Sequence, residues 1–142
     1  MNIVALRCMA DTVTPQLGVE YAERLGITSL VSQDRTLSTA LGGLTKGVSN
    51  LELTNAFAAI ANGGTLMKPY MIDHVENVGG QTVKKFLPSA YGTLMSANDA
   101  QFLTHLMSQV VEIGTGSAMR GASYTVAGKT GSAEFETGKE TH

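Results

Sequence analysis

Hydrophobic residues recur at helical spacing in four stretches of this chain and give way to extended patterns in two. From Asn2 to Thr12, the apolar Ile3, Leu6 and Ala10 fall along one side of a predicted helix. Thr14-Pro15 restarts the pattern. Threonine caps helices and proline fits the first helical position, so a second helix is expected to about Leu25, ended by Gly26. Thr28 to Lys46, with its Gly42-Gly43 pair, has weak periodicity and is expected to form a long surface connection. Ser49-Asn50-Leu51-Glu52 has the form of a capping box. Behind it Leu53, Ala56, Phe57 and Ile60 predict a helix that Gly63-Gly64 stops. Leu66 to Val78 reads as extended, turning at Gly79-Gly80 into Gln81 to Phe86 as a β-hairpin. Ser96 opens the strongest helical pattern, with Leu103, Leu106, Met107, Val110 and Val111 as its buried stripe and Gly114-Thr115-Gly116 as its break. Ser123 to Ser132 is rich in small residues and reads as a strand, followed by a turn over Glu134 to Lys139.

Composition narrows the class of protein. The chain has 142 residues, 43% hydrophobic and 15% charged, which suits a domain with a real core and argues against disorder. A net charge of -2 argues against a nucleic-acid partner, which selects a basic surplus. No apolar run approaches the ~20 residues of a membrane span, and Asn2 to Arg7 has no basic leader region. Cys8 is the lone cysteine, so an internal disulfide and a cysteine zinc cluster are excluded, and its apolar neighbours predict a buried, inert thiol.

The residues that carry chemistry cluster near the end of the chain. Lys129-Thr130-Gly131-Ser132 follows Val126-Ala127-Gly128. A lysine ammonium offers a fixed charge for a substrate carboxylate. On a strand, Thr130 and Ser132 would present their hydroxyls to one face, while Gly131 leaves the backbone unobstructed. The Ser132 N–H is then available to a developing oxyanion. The triplet alone is better explained as a solvated turn. His74, His105 and His142 have no metal-ligand spacing, and His105, between the stripe residues of its helix, is expected at the surface. Glu52 and Asp99 are better explained by capping than by acid–base work. No metal or cofactor is expected.

Context strengthens the reading of the triplet. Ala40 to Ser49, Leu51 to Gly64, Gly114-Thr115-Gly116-Ser117-Ala118 and Tyr124 to Gly131 together resemble class A penicillin-binding proteins, in that family's order and at about its spacing, over nearly the whole chain. The resemblance implies an α+β fold of the serine transpeptidase and β-lactamase type, an antiparallel sheet with flanking helices, of which residues 1–142 form a partial transpeptidase domain. Of the family's three active-site motifs, S-x-x-K, S-x-N and K-T-G, the third is Lys129-Thr130-Gly131. The second is half present if Asn2 is its last residue; helix capping is the other explanation of Asn2. Ser96-Ala97-Asn98 is a decoy, too close to the K-T-G segment and explained by capping. The first motif is absent, since no serine has a lysine three positions later.

The resemblance further implies a D,D-transpeptidase of peptidoglycan cross-linking. It would act on D-Ala-D-Ala stem peptides, be trapped by β-lactams, and work at the extracytoplasmic face of the bacterial cytoplasmic membrane. Lys129 and Asn2 take catalytic roles there; Thr130, Gly131 and Ser132 bind substrate. Without S-x-x-K the chain by itself is expected to be inactive and to self-associate or need a complementary piece. Two alternatives stay open: a non-catalytic truncated or degenerate chain, and a serine β-lactamase or D,D-carboxypeptidase of the same fold.

Overall fold

The computed structural model describes residues 2–131, which divide into two compact units, one through Ala100 and one from Gln101 onward. The first unit opens with α1 (Asn2–Cys8), which widens into a π-helical turn over Met9–Val13. The Thr14 N–H closes that turn on the Met9 carbonyl (2.8 Å). Thr14 then takes φ 70°, and its hydroxyl caps α2 (Pro15–Arg24) by accepting from the Leu17 N–H (3.3 Å). Gly18 permits the crossing, because a Cβ there would lie 2.8 Å from the Met9 methyl carbon. The expected start and glycine stop of α2 both stand: Gly26, at φ +89°, donates to the Glu23 carbonyl.

One expectation for α1 does not stand, that of a buried Cys8. No residue of α1 is buried, with Ile3 and Val4 about 70% exposed at 71% and 69%, and Cys8 is exposed rather than buried. Apolar neighbours along the sequence are not neighbours around a helix. Leu6 and Met9 turn to the partly covered side, and Cys8 turns away from it.

The segment expected as a plain surface connection is organised around a buried carboxylate. It holds two 3-10 turns, Ser32–Asp34 and Leu37–Leu41, and α1 and α2 both pack on the second. Asp34 is 2% exposed. Its carboxylate accepts from the Thr45 N–H (2.7 Å), the Thr45 hydroxyl (2.6 Å) and the Val31 N–H (2.9 Å). Those bonds, the Thr45 hydroxyl first, hold its pKa below the ordinary value against the opposing effect of burial.

The capping box opens α3 (Asn50–Ala61) as the sequence predicts. The Glu52 N–H donates to the Ser49 hydroxyl (3.2 Å), and the Glu52 carboxylate accepts from the Ser49 N–H (2.9 Å). Glu52 also reaches far beyond the box. Its second oxygen accepts from the Thr28 N–H (2.6 Å), the Thr28 hydroxyl (2.8 Å) and the Ser29 N–H (3.0 Å), tying the end of α2 to the start of α3. This set of donors, led by the Ser49 backbone, lowers its pKa from 4.5 to about 2. A depressed carboxylate stabilises the folded state above its unfolded pKa and loses that contribution as pH falls. The first unit is therefore expected to weaken in acid between pH 4.5 and about 2. Glu52→Gln should flatten that limb of a thermal-midpoint titration; an unchanged acid limb would show that Glu52 contributes nothing to it.

Among the described residues four short strands make two antiparallel pairs. β1 (Thr65–Met67) pairs with β4 (Ala90–Thr93), and β2 (His74–Glu76) pairs with β3 (Thr82–Lys85). The β2–β3 pair is the expected hairpin. Asn77 shapes its turn, accepting from the Gly79 N–H (2.9 Å) and Gln81 N–H (3.0 Å) through its side chain, and Gly80 supplies φ +76°. The extended run expected over Leu66 to Val78 divides instead, and its first part pairs with β4. The core of the first unit is small: Val19, Ile27, Ala56, Ala59, Leu66 and Ala100, with α3 laid against β1.

α4 (Ala97–Glu112) crosses from the first unit into the second. Ser96 starts it, accepting from the Asp99 N–H (3.1 Å) and donating to the Asp99 carboxylate (2.6 Å), so Ser96-Ala97-Asn98 is a cap as expected. The expected buried stripe is only partly covered: Val111 is 6% exposed, but Leu103 is 36% and Leu106 46%. Helical periodicity marks the apolar side of a helix; cover depends on what packs there. His105 is exposed, as its position on the helix predicts.

Candidate functional site

The Lys129-Thr130-Gly131 segment lies in the second unit. α4 ends against a glycine turn in which the Gly116 N–H donates to the Val110 carbonyl (2.8 Å). Gly114 passes so near the helix end that a Cβ would stand 2.8 Å from the Val110 oxygen. A short 3-10 turn, Ser117–Met119, and Gly121 at φ +92° reverse the chain toward Ser123. The return segment runs to Gly131 and is anchored where the Gly128 N–H meets the Met107 carbonyl on α4 (3.2 Å).

This segment differs from the predicted strand. Residues 123–131 hold no strand, and the Gly128 donor goes to a helix carbonyl rather than to a ladder partner. A strand is defined by its partner as much as by its own sequence, and among the described residues this run pairs with no strand. Lys129, Thr130 and Gly131 are all exposed, and a Cβ built on Gly131 would meet nothing within 4 Å. A cleft of about 370 Å³ lies earlier along the same segment, lined by Val111, Glu112, Arg120, Tyr124 and Val126 among others. It does not reach Lys129 or Thr130, so these residues stand on open surface rather than in that cleft.

Lys129 and Thr130 are engaged locally. The Lys129 ammonium donates to the Thr130 carbonyl (2.6 Å). The Thr130 hydroxyl lies 2.9 Å from the Thr115 hydroxyl, with either able to donate. Thr115, in the Gly114-Thr115-Gly116 turn, was legible in the sequence as part of a glycine break and of a block resembling the family; no spacing rule links it to Thr130. Ser132 lies outside the described residues, as do His142 and the turn expected over Glu134 to Lys139. Asn2 is exposed at the start of α1, in the first unit.

Among the described residues no group of three His, Cys, Asp or Glu side chains is placed to hold a metal. His74 instead bridges two carboxylates of the hairpin, Asp73 on Nδ1 and Glu76 on Nε2, each at 2.9 Å. Asp73 first, then Glu76, raises its pKa. No helix among the described residues is long and apolar enough to cross a membrane.

Comparison with known proteins places the fold. The fold matches the D,D-transpeptidase domain of a peptidoglycan glycosyltransferase from Eggerthella lenta, with a TM-score of 0.77 and 24% identity, over 96% of this chain and 40% of that one. Penicillin-binding protein A from M. tuberculosis, solved as an imipenem acyl-enzyme complex, matches with a TM-score of 0.70 and 20% identity, over 89% of this chain and 34% of that one. The α+β architecture is thus that of penicillin-binding transpeptidases. The family model for the penicillin binding protein transpeptidase domain matches residues 17–142, and the chain belongs to that family.

Among curated relatives, penicillin-binding protein 4 of Bacillus subtilis is 35% identical over 92% of this chain and 20% of its own length. Penicillin-binding protein 2a of Streptococcus pneumoniae is 31% identical over 94% of this chain and 18% of its own length. The chain spans about a fifth of the length of these relatives. The matched family region contains Lys129-Thr130-Gly131 and begins after Asn2.

Proposed function

We propose that this chain supplies the K-T-G side of a serine D,D-transpeptidase site that recognises D-Ala-D-Ala stem peptides of peptidoglycan and the β-lactams that mimic them. The observation that carries the reading is the exposed Lys129-Thr130-Gly131 segment, inside the family match, with an open face at Gly131.

In this reading the Lys129 ammonium attracts the terminal D-Ala carboxylate. The Thr130 and Ser132 hydroxyls donate to it, the Ser132 N–H meets the oxyanion, and Asn2 orients the substrate amide. A serine oxygen attacks the penultimate D-Ala carbonyl, the terminal D-Ala leaves with a proton on its nitrogen, and an amine of a neighbouring stem displaces the serine from the ester. That serine belongs to an S-x-x-K motif, which this sequence does not contain. The site works at the extracytoplasmic face of the membrane, where peptidoglycan is cross-linked.

Two measurements test the proposal. Incubation with a fluorescent penicillin should leave the intact mass of this chain unchanged; a stable adduct on any of its serines would place a nucleophile within it. Titration with N-acetyl-D-Ala-D-Ala should shift the amide resonances of Lys129, Thr130 and Gly131, and Lys129→Ala should weaken that binding roughly tenfold, the loss of one charge-assisted contact. Saturating peptide with no shift at these residues would sink the reading.

A further inference from the structure

We propose that Thr115 is a positioning residue for Thr130, holding its side chain in one rotamer and donating to its hydroxyl oxygen so that the Thr130 proton is free for a substrate carboxylate. The proposal rests on the functional reading above and assigns the Gly114-Thr115-Gly116 turn a part in it.

The geometry points that way from three sides. The two hydroxyl oxygens are 2.9 Å apart, a full hydrogen bond between residues fifteen positions apart in sequence. The turn that carries Thr115 is clamped to the end of α4. The Gly116 N–H is bonded to the Val110 carbonyl (2.8 Å), and a Cβ at Gly114 or Gly116 would press on that same oxygen, at 2.8 and 3.1 Å. The segment that carries Thr130 is pinned to the same helix by the Gly128 N–H on the Met107 carbonyl (3.2 Å). α4 thus anchors both hydroxyls, and neither is held only by its own loop.

A hydroxyl has one proton and two acceptor sites. With no anion present, either threonine can donate to the other. A carboxylate has no proton to give, so a Thr130 that binds it must donate its own. The shared hydrogen bond then persists only if Thr115 becomes the donor. In that polarity each bond in the chain Thr115, Thr130, carboxylate strengthens the next. Thr115 touches no substrate in this scheme. It acts through Thr130, fixing its rotamer and filling one acceptor site.

The test compares Thr115→Val, which keeps the shape and removes the hydroxyl, with Thr115→Ser, which keeps the hydroxyl. Two readouts are taken on each chain. Three-bond couplings to the Thr130 methyl carbon report the Thr130 rotamer, and titration with N-acetyl-D-Ala-D-Ala reports carboxylate binding. The Thr130 couplings should indicate one rotamer in the wild type and in Thr115→Ser, and averaging in Thr115→Val. Peptide affinity should fall about five- to tenfold in Thr115→Val, the worth of one hydrogen bond, and return in Thr115→Ser. Unchanged Thr130 couplings in Thr115→Val would overturn the proposal. So would equal losses in both variants, which would mean that packing rather than the hydroxyl matters. Averaged couplings with undiminished peptide affinity would overturn it as well. A wild-type chain that shows the single rotamer but binds no peptide would instead overturn the transpeptidase reading while leaving the Thr115 hold on Thr130 intact.

Discussion

Replacing Gly64 with alanine is expected to destabilise the first unit by about 3 kcal/mol or more, the combined cost of a left-handed backbone and an overpacked contact. Gly64 is buried at the end of α3 with φ +89°. Its N–H closes the helix on the Ala59 carbonyl (2.8 Å), and its own carbonyl accepts from the Leu94 N–H (2.8 Å) as the chain enters β1. A Cβ there would collide with the Met95 carbonyl oxygen and lie 2.8 Å from the Met95 Cγ. Backbone cannot swing aside as a side-chain tip can. Gly63 is the internal control: its φ is +64°, but a Cβ would meet nothing within 4 Å. Gly63→Ala should therefore cost only about 1 kcal/mol, from backbone conformation alone. Urea denaturation of the two variants measures the difference. Equal midpoints would show that the Met95 contact relaxes without cost.

The second large effect is expected at Asp34. Its carboxylate is buried and spends both oxygens on donors from Val31 and Thr45, while its carbonyl accepts the Thr39 hydroxyl. Asp34→Asn has nearly the same shape but turns an NH2 group toward at least one N–H donor, so a buried donor loses its acceptor. The thermal midpoint should fall by on the order of 10 °C, the scale set by leaving buried polar groups unpaired. Amide protection should fail first at Val31 and Thr45, whose N–H groups bond this side chain. The pKa direction gives the pH sign. A depressed carboxylate stabilises above its unfolded pKa, so the wild type should drift toward the variant as the solution is acidified. A variant with an undiminished midpoint and intact protection at Thr45 would mean that the loop is ordered by its backbone alone.

Much of the local structure was legible in the sequence, because its causes are local. Thr14-Pro15, the Ser49–Glu52 box and Ser96 with Asp99 each satisfy helix N–H groups with a side chain a few residues away, and each was readable as a start signal. Gly26, Gly63 and Gly64 supply the positive φ that ends a helix. The Asn77–Gly80 turn joins its strands through bonds within the turn itself. The features that were missed are long-range. Glu52 reads as a cap in the sequence and proves also to hold Thr28 and Ser29. Asp34 sits in a stretch without periodicity, and its value depends on Thr45, eleven residues on.

The candidate site divides along the same line. The Lys129-Thr130-Gly131 triplet, the order of the blocks around it and the lack of an S-x-x-K serine are properties of the sequence, and the first two carried the resemblance to the family before any geometry. Tertiary structure alone decided four further points. The segment before Gly131 is anchored to a helix rather than laddered to a strand. Cys8 faces solvent, and the stripe of α4 is half uncovered. Thr115 stands 2.9 Å from Thr130. The physical reason is common to all four. Capping, turn conformation and helical period are set by residues within a few positions of each other, whereas burial, ladder pairing and the meeting of two hydroxyls depend on which distant segment the folded chain brings alongside.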